Sequence, residues 1–216
     1  MKIDRSSKGL LASLYVIAIA ISALFYIFVP VLWLDVLIST AMLWFMVWQT
    51  YFFRIPVRNT IEDGICSVCD GRVVIVEKTL EREFLNRECI QVSVYMNFFD
   101  THANFWPSDG TVDYYRYVPG KHLLAFNPKA SLDNEHTCTK MTTHDGQEVF
   151  FKQIAGGFAR RISNYATIGE DVRKGDQCGI IKFGSRIDLF LPLSAKVEVK
   201  VGDIVRACET RIATLP

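Results

Sequence analysis

A single charged side chain, Asp35, stands between Gly9 and Phe53, and this stretch limits the possible folds more than any other part of the chain. Leu10–Val29 carries no charge. As a helix rising 1.5 Å per residue it reaches about 30 Å, the hydrocarbon thickness of a bilayer. Pro30-Val31-Leu32-Trp33-Leu34-Asp35 interrupts the run, and Val36–Phe53 is a second uncharged stretch. Two close-set runs of this kind predict a membrane-anchoring helical hairpin over residues 1–53, with Trp33, Trp48 and Tyr51 suited to the interfaces. A signal peptide fits poorly, because the first run is long and is followed by more apolar sequence instead of a small-residue cleavage site. Lys2, Arg5 and Lys8 precede the first run, and Arg54 and Arg58 follow the second. The positive-inside rule then puts both ends, and the domain after them, on the cytoplasmic side of the cell (inner) membrane. Full spanning and a shallow dip both remain open.

From Arg54 onward the chain reads as a β-rich domain, residues 54–216. The total of 216 residues suits one such domain plus the anchor. A net charge of +1 lacks the basic footprint of a nucleic-acid-binding protein. Cys66-Ser67-Val68-Cys69 is the only close pair among six cysteines, and no second pair completes a zinc site. On a strand, positions i and i+3 face opposite ways, so the expectation is no metal and six reduced, mostly buried thiols. Asp70-Gly71 predicts a tight turn before the Val-Val-Ile-Val run. Ile90, Val92, Val94 and Met96 alternate with polar neighbours as a half-buried strand does. Phe158-Ala159-Arg160-Arg161-Ile162 reads as a short helical piece. Val172–Asp176 and Val199–Val205 look alike, each a strand, a Gly-Asp turn and a return strand. This pair resembles the pseudo-repeat of lipoyl/biotinyl-type sandwich barrels. The expected fold is therefore mainly β: a helical hairpin, then a β-rich domain containing such a barrel element.

Between the two copies, the β-runs Gly179–Phe183 and Ile187–Leu191 meet at Gly184-Ser185-Arg186. The ordinary reading of that junction is a hairpin turn. The chemical reading is that the Ser185 hydroxyl attacks the Gly184 carbonyl in an N→O acyl shift. Asp100-Thr101-His102 sets a carboxylate and an imidazole at i and i+2, on one face of an extended segment. Read alone, that pair is better explained by an Asp capping a helix and a solvent-facing His. His144 precedes Asp145-Gly146 on a turn, and His122 and His136 have no partner at readable spacing. The adjacent Arg160 and Arg161 could hold an anionic headgroup, although such pairs are commonly one buried stem and one surface charge.

Seven blocks run in order along the chain. They are Tyr51–Pro56, Cys69–Val74, Met96–His102, Pro119-Gly120-Lys121, Asn134-Glu135, Gln153–Ile162 and Phe183–Arg186. Together they resemble the phosphatidylserine decarboxylase family, in its short bacterial and archaeal-type branch, over nearly all of the chain after Arg54. The resemblance implies a self-processing proenzyme cut between Gly184 and Ser185. His102 would act as base, with Asp100 as its orienting partner. Ser185 would become a pyruvoyl group at the head of a separate chain, residues 185–216, that stays with the rest. A substrate amine would form a Schiff base with that group, and CO2 would leave, turning phosphatidylserine into phosphatidylethanolamine. His102 is also the expected proton donor to the carbanion, and Arg160, Arg161 and Lys182 are expected headgroup contacts. A related aminophospholipid such as archaetidylserine would meet the same chemistry. A non-catalytic lipoyl-like scaffold on a membrane anchor is the reading of a different class. It lacks the exposed tip lysine of a carrier, since Lys182 lies inside a strand. A homo-oligomer is neither required nor excluded.

Overall fold

The two apolar runs form helices α1 (Lys8–Phe28) and α2 (Leu32–Phe52) in a computed structural model that describes residues 2–121, 123, 133–157, 161–182 and 185–216. Pro30 has no amide hydrogen and disfavours helical backbone before it, and Val29 and Val31 are extended on either side of it. The far ends of the helices are tied by a two-stranded antiparallel ladder, β1 (Lys2–Ile3) with β2 (Arg54–Ile55). Asp4 donates its N–H to the Phe53 carbonyl at 3.0 Å. The Asp4 carboxylate accepts hydrogen bonds from Ser6 and Ser7, each at 2.7 Å. Between the helices the Tyr15 and Thr50 hydroxyls meet. Val16, Ile17, Leu24, Leu43, Trp44 and Val47 are exposed, as side chains solvated by lipid would be. Each helix is long and apolar enough to cross a membrane.

Met1–Pro56 is one unit and Val57–Pro216 the other. The second unit contains β3 (Ile65–Cys66), β4 (Gly71–Glu81), β5 (Arg87–Met96), β6 (Ala103–Phe105), β7 (Gly110–Val118), β8 (His136–Thr143) and β9 (Glu148–Ala155). It continues with β10 (Arg161–Asn164), β11 (Asp171–Val172), β12 (Gln177–Lys182), β13 (Ser185–Leu191), β14 (Lys196–Val197), β15 (Ile204–Val205) and β16 (Arg211–Thr214). Eight strands make a sheet ordered β11-β7-β8-β9-β13-β5-β4-β15, which curls into a half-barrel. Two three-stranded sheets, β10-β12-β6 and β14-β16-β3, complete it. The chain is mainly β, as the alternation predicts. The two look-alike turns share a device: Gly175 and Gly202 both take positive φ, +87° and +100°, which a residue with a Cβ adopts at a cost.

β13 lies in the middle of the large sheet, paired with β9 on one edge and β5 on the other. All seven of its residues are buried. Ile187, Leu189 and Leu191 join the main core with Val92, Val94, Met96, Phe151 and Trp106. Phe190 points the other way, into a second cluster with Cys89, Cys138 and Phe150. Arg186 and Asp188 share that second face as a buried ion pair, and Arg186 also donates to the Ser93 hydroxyl at 3.1 Å.

Two local expectations change. Gly184-Ser185-Arg186 does not close a hairpin, because β12 pairs with β10 and β6 while β13 belongs to the other sheet. The junction is a crossover between sheets, and Gly184 itself lies outside the described residues. Arg161–Asn164 is a strand, not part of a helix, because its backbone pairs with β12 in a four-residue ladder. Gly71 opens β4 directly after the bend over residues 68–70. Its value is close approach: a Cβ there would sit 2.3 Å from the Tyr95 carbonyl oxygen, at φ +149°. Gly71→Ala is therefore expected to destabilise the protein by about 1–3 kcal/mol, read as a lower melting temperature in detergent. An unchanged transition would mean that the β4–β5 ladder can shift to admit the methyl.

Candidate active site

Ser185 is the first residue of the pinned strand, fully buried, with Met96 of β5 and Ala155 of β9 as its register partners. Its hydroxyl reaches the Met96 sulfur at 3.5 Å. Strand alternation puts Ser185 on the core side with Ile187, because Arg186 is held on the opposite face by Asp188 and Ser93.

His102 is also fully buried and sits just before β6. Its carbonyl accepts the Ile181 N–H at 3.3 Å, and the next residue, Ala103, pairs with Ile180. His102 is thus fastened to β12 at the residue before Lys182, where the chain is about to cross towards Ser185. Its Nδ1 lies 3.1 Å from the Asp100 carbonyl oxygen. A carbonyl can only accept, so Nδ1 carries the hydrogen and Nε2 is the basic nitrogen of the neutral ring. Asp100 thus orients the ring through its backbone. Its carboxylate accepts the Asn97 N–H at 2.8 Å and closes the turn that carries the segment.

The headgroup candidates divide. Arg161 is exposed and Lys182 buried, and the two face each other in register at the end of the β10–β12 ladder nearest the crossover. Arg160 lies outside the described residues, as does His122. His144 is exposed on a turn, as expected.

Several residues that the spacing did not single out complete the surroundings. Asn104 stands two positions after His102, donates to the Met96 sulfur at 3.8 Å and accepts from Gln153 at 2.8 Å. Gln153 in turn accepts from Thr137 at 2.9 Å and Asn164 at 2.7 Å. Ser185 and Asn104 therefore meet at one sulfur, on a buried polar chain that spans both sheets. Asn134 donates to the carbonyl of Ala155, the strand neighbour of Ser185, at 2.7 Å.

His136 proves to have partners that its sequence neighbours could not reveal. Its Nδ1 lies 2.6 Å from the Asn134 carbonyl, and its Nε2 lies 2.9 Å from both oxygens of Glu83. Lys152 bonds Glu81 at 2.8 Å and Glu83 at 2.7 Å. The His136 hydrogen bond, helped by Lys152 against the effect of burial, holds the Glu83 carboxyl down at about 2. Burial presses the Lys152 ammonium the other way, but the two carboxylates outweigh it and keep it above its ordinary value. Burial pushes the nearby Cys138 thiol up to about 12. Ligand atoms of Glu83, His136 and Cys138 lie within 4.8 Å of one another, and the Lys152 ammonium already supplies a cation there.

The sequence model of the family described as phosphatidylserine decarboxylase matches residues 45–213. A phosphatidylserine decarboxylase proenzyme of Amoebophilus asiaticus is 45% identical over 170 residues, covering 78% of this chain and 76% of that protein. One from Parabacteroides distasonis is 36% identical, covering 100% of this chain and 99% of its own. One from Cytophaga hutchinsonii is 40% identical and covers 88% of each.

The Glu83 carboxyl, lowered from 4.5 to about 2 in the folded chain, stabilises the fold above the ordinary carboxylate range. That contribution is lost as pH falls from about 4.5 to about 2. Glu83→Gln is expected to lower stability at neutral pH and to flatten its decline over that window, read by thermal unfolding at stepped pH. An acid limb as steep as in the parent would show that Glu83 is not the group responsible.

Proposed function

The chain belongs to the phosphatidylserine decarboxylase family, and from that membership we propose how its own residues make and use the active group. It is a phosphatidylserine decarboxylase made as a proenzyme. The observation that carries the residue assignment is the position of Ser185. It heads a strand anchored on both edges, at a crossover between sheets, with His102 fastened to the strand that leads into the same crossover.

In the processing step the Ser185 hydroxyl adds to the Gly184 carbonyl carbon, and the C–N bond breaks to leave an ester and a free Ser185 amine. His102 Nε2 removes the Ser185 α-proton. The ester oxygen then leaves with the Gly184 carboxyl, which forms a C=C bond in the residue at position 185. Water replaces the nitrogen of that residue, ammonia departs, and a pyruvoyl group heads residues 185–216. The residues present fit this group, since it is built from Ser185 and needs only that the strand behind it stay in place. β13 keeps both its neighbours after the cut, and β14, β15 and β16 remain paired as well. The pyruvoyl group supplies the electron sink for the carbanion left when CO2 departs.

In the decarboxylation, His102 is the candidate to hand a proton back to the substrate carbon, a role worth about 10²–10⁴-fold. Arg161 and Lys182, a cross-strand pair of cations beside the crossover, are candidates for the lipid phosphate. An anchoring hairpin suits a lipid substrate, and the basic residues at both of its ends favour the cytoplasmic side for the chain that follows.

Ser185→Ala is expected to remain one chain and to release no CO2 from phosphatidylserine vesicles. His102→Ala is expected to slow processing by about 10²–10⁴-fold, followed as the appearance of residues 185–216 on a denaturing gel. Decarboxylation by a folded Ser185→Ala protein would overturn the assignment of the cofactor to that residue.

A further inference from the structure

The turn joining β4 to β5 folds back over the second face of the large sheet. The Glu81 carboxylate accepts the backbone N–H groups of Glu83, Phe84 and Leu85 at 3.1, 2.8 and 2.7 Å. The Phe84 ring stacks on Tyr114 with centroids 3.9 Å apart. Both contacts fix the turn and bring Glu83 against β8, where His136 and Cys138 stand two residues apart and so share a face. Cys138 is the register partner of Lys152 on β9. A carboxylate, an imidazole and a thiol thereby converge, with ligand atoms within 4.8 Å of one another.

The imidazole shows what this cluster lacks. Its Nδ1 lies 2.6 Å from the Asn134 carbonyl oxygen, which can only accept, so Nδ1 carries the hydrogen. Nε2 of the neutral ring then turns its lone pair to both Glu83 oxygens at 2.9 Å. Acceptors at that distance repel unless a positive ion is shared between them. Lys152 does not remove the problem, because its one charge serves two carboxylates, Glu81 and Glu83. One negative charge is left over in a buried place, where charges need partners. A proton on His136 would balance it, but would give the Cys138 thiol no part. A divalent ion on the Cys138 thiolate, His136 and Glu83 uses every group: three negative charges then face three positive ones.

We propose that Glu83, His136 and Cys138 bind a zinc-class divalent ion that ties the β4–β5 turn to β8. One nitrogen, one sulfur and one carboxylate oxygen form a zinc ligand set, which water or the second Glu83 oxygen completes to four. Tetrahedral zinc holds such atoms about 3.3–3.6 Å apart, so groups already within 4.8 Å close on the ion by side-chain rotation. The Asn134 carbonyl is the outer partner that a metal-bound imidazole ordinarily has, and it fixes the tautomer that presents Nε2. Lys152 keeps its bond to Glu81. His136 and Cys138 are buried, but the Glu83 side chain is 22% exposed and leaves one side of the cluster open to solvent. The Cys138 proton passes to solvent as the ion binds, so uptake is tighter at higher pH. Cysteine spacing predicted no metal because this set has one thiol, and its carboxylate lies 53 positions from its imidazole. The site does not depend on cleavage at Ser185.

The test strips the full protein, purified in detergent, with EDTA and then adds cobalt(II) or zinc(II) as the only metal. Cobalt is expected to show a thiolate-to-cobalt charge-transfer band at one ion per chain, and zinc to abolish the band by displacement. Zinc is also expected to raise the melting temperature. Cys138→Ser should lose the band, while Cys69→Ser should keep it. Glu83→Gln should bind cobalt at least about 10-fold more weakly, the loss that even an outer partner typically brings. A parent protein with neither band nor melting shift would overturn the proposal and leave a proton on His136 as the balancing cation. A band that survives Cys138→Ser would overturn it too, by placing the ion on other thiols. Should Cys138→Ser show no cooperative unfolding, Glu83→Gln decides, since unchanged cobalt affinity there would overturn the three-ligand set.

Discussion

The geometry around Ser185 depends on the confinement of β13. A strand bonded on both edges and buried on both faces has no freedom to slide or rotate, so its first residue is fixed to the accuracy of the sheet. Ser185 is that residue, and the chain behind it must leave for a different sheet within two positions. Rigid backbone on both sides of a short crossover is how a fold can hold a hydroxyl near its own preceding carbonyl. The same confinement would hold a cut chain together, since residues 185–216 keep their ladders with the upstream strands β5, β9, β4 and β3.

Polar groups on the two faces of the sheet support this in different ways. On the second face, Arg186 and Asp188 form an ion pair sealed from water, and losing one partner of such a pair typically costs about 3–5 kcal/mol. Its benefit is orientation, because anchoring Arg186 on that face sends Ser185 to the other. Farther along, Glu81, Lys152, Glu83 and His136 form a connected cluster of charged and polar groups. His136 passes its constraint to the Asn134 carbonyl, and Asn134 passes it to Ala155 beside Ser185. On the core side, Asn104 and Gln153 are buried and bonded to each other. Gln153 donates to Asn104, and Asn104 donates to the Met96 sulfur that Ser185 also touches.

How much was legible in the sequence follows from how local each signal is. The hairpin could be read because two long uncharged runs have few stable outcomes, and β5 because its alternation is self-contained. The Gly184-Ser185 junction misled as a turn because turn statistics see only near neighbours. The partners of β13 are Met96 and Ala155, far off in the chain. Gly71 was legible as a turn glycine, but its close approach became plain only with Tyr95 in place against it. Asp100 and His102 were recognisable as a pair, but the choice of backbone carbonyl as the contact depends on the turn closed by Asn97. His136 lies 53 positions from Glu83, and Lys152 lies 69 from it. No spacing rule reaches that far.

The most direct measurement is the intact mass of the purified protein under denaturing conditions, taken from a preparation that releases CO2 from phosphatidylserine. Two masses are expected, meeting at the Gly184–Ser185 bond, with the smaller piece carrying a carbonyl at its head that borohydride reduces. The two pieces should nevertheless elute as one species under native conditions. A single uncut mass from an active preparation would contradict the account at its centre, since no pyruvoyl group could then have come from Ser185.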